Sequence, residues 1–298
     1  MKTELTFIKR NVKLFFKDKG MFFTALITPG ILLVLYATFL KNVYKDSFIA
    51  GFPDGFTVAE RIMDALVGGQ LISSLLAVSC ITVAFCSNFL MVHDKATGTY
   101  RDLRISPISP SSLAVSYYAA TLFSTLLICY LATALSLGYL AIVGFYLSVA
   151  DVLFLFLDVT LLTLFGVALS SIISFFLSTQ GQISAVGSIV SSCYGFICGA
   201  YMPISSFGEG LRKIIMFLPG TYGTSLLRNH AMRGALAELE KTGLPSEVVT
   251  TLADTIDANL YFFGDKVSSP VMYLIIGGTT ALLICAYVAL NIFRKKDK

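Results

Sequence analysis

Six stretches of the chain are apolar on every side of a helical wheel, and the polar residues gather between them. They cover residues 21–40, 64–92, 112–146, 151–177, 183–200 and 269–293, each boundary being approximate. A run such as LFLFLDVTLLTLF at 153–165 has no alternation of period two, which argues against barrel strands. Helix of about 20 apolar residues matches a hydrocarbon core of ~30 Å. Lipid offers the backbone no hydrogen bonds, so each stretch must close its own. The pattern therefore predicts an all-α membrane protein, one transmembrane domain over 1–298 with six spans. The second and third stretches exceed one crossing, so they tilt, kink or project. Thr28, Pro29 and Gly30 in the first predict a kink.

The intervals are patterned too. In LTFIKRNVKLFF, Leu5, Ile8, Val12 and Phe15 share a face, with Lys9, Arg10, Lys13 and Lys17 mostly elsewhere. This predicts an amphipathic helix over 1–20 lying in the membrane interface. Residues 93–111 open with HDKATGTYRDLRISPISP, a charged and proline-closed connection longer than a hairpin between spans requires. Residues 201–268 are too polar to span and too long for a turn; the first half is expected to be re-entrant or interfacial, the second to project as soluble helix.

Composition sharpens this. The chain is 56% hydrophobic and only 13% charged, against ~25% charged in an ordinary soluble domain. Residues 1–20, 93–110 and 294–298 hold 13 of the 22 basic side chains but five of the 18 acidic ones. The positive-inside rule therefore expects both termini and the 93–111 segment in the cytoplasm, with 201–268 outside. The first apolar run is too long for a cleaved leader, and YATFLKNVY offers no small-x-small cleavage site, so it is expected to stay as a span. All six cysteines fall within predicted spans, which argues against a disulfide scaffold. The two histidines, His93 and His230, are expected on opposite sides, so no metal site is expected.

Within the fifth span, Gly187, Ser191, Gly195 and Gly199 recur every four residues, a small-residue stripe suited to close helix packing, a subunit contact or a conduit wall. Asp151 and Asp158 share a face of the fourth span. Asp151 marks the outer boundary; Asp158 lies deeper, either neutral and hydrogen-bonded or proton-coupled. No Lys, Arg or His lies between 105 and 211 to pair with it. The chain has no G-x-x-x-x-G-K-[ST] phosphate loop, and LVGGQ at 66–70 lies inside an apolar span, so ATP is not expected to bind here. No serine has a triad arrangement either. The chain is expected not to be an enzyme.

Residues 94–107, D-K-x-T-G-T-x-x-D-L-x-x-S-P, resemble the cytoplasmic motif of ABC-2 type transporter permeases. Gly199, Pro203, Ile204, Ser205, Leu211, Pro219, Thr221, Tyr222 and Arg228 resemble the family's second pattern, after the fifth span. FGEG stands where the family often has a Pro-Glu pair. The resemblance implies that 93–111 contains a coupling helix docking on a separate ABC ATPase, which would carry the ATP and Mg. Lys95, Gly98, Thr99, Tyr100, Arg101, Leu103 and Arg104 would form that contact, with Lys9 and Lys13 on the leading helix. Gly98 would allow a tight path, Thr99 cap the short helix, Leu103 enter an apolar notch, and Pro107 and Pro110 end it.

The resulting expectation is a permease subunit of an ATP-driven exporter in the plasma membrane of a bacterium. It would pair with a second permease copy or paralogue and with membrane lipids, not with nucleic acid. The substrate path or dimer interface, along spans two and five, would include Phe85, Asn88, Gly187, Ser191, Gly195 and Gly199. Apolar walls favour a hydrophobic or amphipathic cargo such as a drug or natural product; a lipid-linked polysaccharide or peptide is the alternative. A secondary carrier centred on Asp158 is the reading from another class, although no repeat relates 1–110 to 151–298.

Overall fold

A computed structural model describes residues 2–53, 56–105 and 108–293, with the side chains of Lys2, Ala37 and Arg104 left out of the description. Pro107 and the tail from 294 lie outside the described residues. Helix α1 (Lys2–Lys17) ends at Asp18, whose carboxylate caps α2 (Lys19–Leu35) by accepting from the Met21 N–H. Helix α2 runs unbroken across Pro29. The expected irregularity comes later, as a π-helical turn at Tyr36–Leu40 that leads straight into α3 (Lys41–Ala50). The first span is therefore the lower part of a 32-residue rod. Its upper part is tied down by Lys41–Asp64 (3.2 Å) and Lys45–Glu60 (3.5 Å), whose acids lie at the start of the next long helix.

That helix is α4 (Glu60–Ala96), and every residue of its most apolar window is buried. A helix apolar all round needs neighbours all round. It is wrapped by α2 and by α6 (Pro110–Val143), α7 (Val149–Phe176), α8 (Gln180–Ile197) and α10 (Pro219–Lys241). Close approach depends on glycines: a Cβ at Gly166 of α7 would press on the Cys80 carbonyl, and one at Gly69 of α4 on the Ala231 carbonyl. The short α5 (Thr99–Ile105) follows α4, and Pro110 opens α6 at the first helical turn, where its missing N–H costs nothing.

Five helices are long and apolar enough to cross a membrane among the described residues: the α2–α3 rod, α4, α6, α7 and α12 (Ser269–Phe293). The sixth expected span, α8, has 18 residues and carries Gln and Ser along its length. The segment after it, expected to be re-entrant or interfacial in its first half, is largely helical. A 3-10 turn (Ile204–Ser206) and α9 (Glu209–Ile215) lead to α10, a 23-residue helix that runs back along α4, α7 and α12 and is buried on all sides over its first half. Helix α11 (Ser246–Thr255) and a hairpin of β1 (Tyr261–Phe262) and β2 (Asp265–Lys266) then precede α12.

Candidate functional site

The α5 end of the bundle carries a junction built from three consecutive residues of α4. The His93 ring lies 2.7 Å from the Gln180 amide at the start of α8. Asp94, 3% exposed, accepts both guanidinium nitrogens of Arg10 from α1 at 2.8 and 3.3 Å, and the Tyr117 hydroxyl from α6. Lys95 donates to the carbonyls of Ser174, Phe175 and Leu177 at 2.7, 2.8 and 3.1 Å. These belong to the last turn of α7, whose C=O groups have no helical partner and whose dipole favours a cation. The same ammonium sits over the Tyr100 and Phe175 rings. One turn of α4 is thus bonded to α1, α6, α7 and α8.

Helix α5 hangs from this turn through Gly98, whose φ of +84° an L side chain would strain. Thr99 opens the helix with its hydroxyl 3.1 Å from that of Thr97. Tyr100 and Leu103 turn inward onto a small core of Phe7, Met91, Leu113 and Tyr117. Leu103, expected to enter a partner's apolar notch, is half-buried against this core. The outward apolar side chain is Ile105, 84% exposed, with Arg101 and Asp102 also exposed. Arg104 lies in α5, its side chain outside the description.

Helix α1 packs along α6 with Phe7, Asn11 and Phe15 turned inward, whereas Leu5 is 68% exposed. The strip packed on the bundle, held by the Arg10–Asp94 pair and the Phe7–Tyr117 ring contact (6.0 Å), shares only Phe15 with the Leu5–Ile8–Val12–Phe15 face expected toward the membrane. Lys9 and Lys13 are exposed.

A groove of about 840 Å³ opens between α2 and α8, with α4 as its floor. Ile27, Ile31 and Leu35 line one wall, Ile183, Gly187 and Ser191 the other, and Cys86 and Phe89 the floor, with Asp18, His93 and Gln180 at the α5 end. Phe85 and Asn88 are elsewhere: Phe85 is buried in the main core, and Asn88 donates to the Ser170 and Ser171 hydroxyls of α7 at 3.1 and 3.0 Å. The small-residue stripe also divides. Gly187 packs on Phe89, Gly195 makes room for the Tyr201 ring, and Gly199 takes a left-handed φ of +74° to end α8.

The second sequence pattern folds into a clasp. The Arg228 guanidinium, wholly buried, reaches the Gly199 carbonyl at 2.8 Å, Ser74 at 3.3 Å and Asp257 at 3.5 Å. Asp257 accepts from the Ile204 N–H at 2.7 Å. Thr221 and Tyr222 bond the Ile215 and Met216 carbonyls, closing the turn into α10. Burial lifts the Asp257 carboxyl to about 6 despite Arg228 beside it.

Asp158, 1% exposed, finds partners the residues around it did not announce. The His230 Nδ1 lies 2.6 Å away, the Tyr273 hydroxyl donates from α12, and the His230 ring stacks on Phe154 at 4.8 Å. Asp151 caps the start of α7 with Ser148 and pairs with Arg233. Both basic partners lie on α10, beyond the stretch without cations, and neither acid faces the groove.

The sequence model of the ABC-2 type transporter family matches residues 4–231, more than half of the chain. Among curated proteins none matches the chain. The chain belongs to the ABC-2 type transporter family, a multi-pass membrane permease whose family associates with ABC ATPase subunits and is not itself catalytic.

Proposed function

We propose that this ABC-2 type permease is one of two membrane subunits of an exporter, and that separate ATPase subunits, carrying ATP and Mg, drive it through α5. The observation that carries the reading is the His93–Asp94–Lys95 turn. A partner that displaces α5 moves a turn bonded to four other helices, so the push is delivered to α1, α6, α7 and α8 together. Side-chain bonds of this kind, several of them charge-assisted and partly buried, are stiff enough to act as a lever mount. Lys9 and Lys13, exposed on α1, offer the same partner a second contact. By charge, this end is cytoplasmic.

The α2–α8 groove is the proposed substrate path, closed by the second permease copy or a paralogue. Its walls combine Ile and Leu side chains with Ser and Thr hydroxyls along the whole length, and Asp18, His93 and Gln180 lie at the α5 end. An amphipathic molecule, polar group toward α5 and apolar body along α2, matches that distribution better than a free sugar. Drug or natural-product export follows, with lipid-linked polysaccharide or peptide as the alternative cargo.

The experiment is Arg101→Glu combined with Ile105→Asp, two exposed positions whose loss leaves the junction intact. Co-purification with the ATPase and ATP turnover by the complex should both fall at least tenfold. Unchanged co-purification and turnover would show that α5 is not the docking element.

A further inference from the structure

We propose that the π turn at Tyr36–Leu40 is a hinge about which α2, one wall of the groove, swings during the ATPase cycle while α3 stays clamped to α4. This deepens the groove reading: it rests on α2 as a wall of the proposed substrate path and names the part of that wall that gives.

The turn follows from spacing. Leu32, Tyr36, Leu40, Tyr44 and Phe48 recur every four residues, and all five are buried or half-buried in the main core. In an α-helix of 3.6 residues per turn each such step drifts by ~40°, so over a regular rod the strip would wind by ~160° and leave the bundle. One extra residue in a single turn takes back ~100° of this. The Lys41 N–H accordingly bonds the Tyr36 carbonyl, five residues back, and the strip stays on one side. Turns of this kind inside α-helices are frequent at functional sites and are where helices kink.

The two sides of the turn are held unequally. Below it, α2 walls the groove from Met21 up to Leu35, the residue just before the turn. Ala25 and Leu32 are its buried hold on the bundle, whereas Phe23, Ile27, Ile31 and Val34 are each more than half exposed. Above it, the Lys41–Asp64 and Lys45–Glu60 pairs pin α3 to the start of α4. A Cβ at Gly51, the cap of α3, would press on Leu252 of α11, so this end is seated tightly. Within the turn, the Thr38 hydroxyl donates to the Val34 carbonyl at 2.8 Å, a bond that competes with the helix ladder and favours bending. The Tyr36 and Tyr44 rings stack across it at 5.8 Å, a contact that slides without breaking a hydrogen bond. At its other end α2 follows α1 through Asp18, and α1 is bonded to the coupling turn by Arg10–Asp94. A displacement of that turn therefore reaches α2 through α1 and is taken up where the rod is softest.

Deleting Thr38 shortens the spacing by one residue, which restores a regular α-helix with the strip still inward. Hydrogen–deuterium exchange is measured on the full-length protein assembled with its ATPase in lipid nanodiscs, with and without ATP, Mg and vanadate. In the parent, amides of 38–42 should exchange about tenfold faster than those of 30–34, and vanadate trapping should change their rate about threefold. In the deletion variant both contrasts should vanish, with the unfolding temperature kept. Equal exchange at 38–42 and 30–34 in the parent, or no response to trapping, overturns the proposal; these measurements decide it even where the deletion variant fails to fold. Contrasts that persist in a folded variant overturn it too. The groove reading is scored separately, by ATP-driven export of rhodamine 6G from vesicles. Export by the variant at the parent's rate, with both contrasts gone, leaves the hinge standing and removes the groove as the path.

Discussion

Lys95→Met removes the cation from the α7 terminus while keeping the length and apolar stem of the side chain. Three carbonyls lose a charged donor held at 2.7 to 3.1 Å. A hydrogen bond to a charged group contributes about 1.5–3 kcal/mol net. One ammonium, half-buried, cannot deliver three such bonds at full strength, and the carbonyls regain some water. The attachment of α7 to α4 should weaken by about 2–3 kcal/mol, or roughly 30- to 140-fold in the opening equilibrium, since ~1.4 kcal/mol is tenfold. Hydrogen–deuterium exchange of the intact complex reads this directly. Amides at the end of α7 and the start of α8 should exchange faster by about that factor, and ATP turnover by the complex should fall with it. Lys95→Arg, which keeps the charge, should lie between. Unchanged exchange at 172–182 in Lys95→Met would refute the idea that this side chain mounts α7 on the coupling turn.

Two further outcomes follow from the other buried charges. Asp158→Leu strands the His230 ring and the Tyr273 hydroxyl, and removing one partner of a buried pair costs about 3–5 kcal/mol; thermal unfolding should show the loss. Asp158→Asn should cost less and leave ATP-dependent transport in place, whereas loss of a proton-driven flux without ATP would favour the carrier reading. For Asp257, burial raises the folded carboxyl from 3.8 to about 6. A raised acid stabilises the fold fully below its unfolded value and loses that contribution as pH rises through the folded one, up to about 3 kcal/mol here. Relative to Asp257→Asn, the parent protein should therefore be more stable at pH 4 than at pH 8, measured by unfolding temperature; the opposite sign would contradict the burial argument.

The long spans were legible because residues such as those at 153–165 are apolar on all sides, and only membrane or deep core accepts such a helix. Helix α10 was not. Arg228, His230 and Arg233 gave no sign of burial, because their partners Asp257, Asp158 and Asp151 lie 29 to 82 residues away, beyond any local window. Only its Pro219 at the first turn and its small residues Gly220, Gly223 and Gly234 hinted at a packed helix. The coupling segment was legible in its location but not in its orientation. Leu103 and Ile105 are both apolar, and which one faces out depends on the Phe7–Tyr117 core contributed by α1 and α6. For α1 itself, two apolar strips compete on the wheel, and the inward one is chosen by an ion pair with a residue 84 positions later.

The central claim is that α5 receives work from an ATPase, and site-specific photo-cross-linking tests it most directly. A photoreactive side chain at Arg101, exposed on α5, is compared with one at Glu247, exposed on α11 at the other end of the bundle. The account predicts a covalent product with the ATPase subunit from Arg101 and none from Glu247. A product from Glu247, or none from Arg101 in an assembled and ATP-hydrolysing complex, would contradict it.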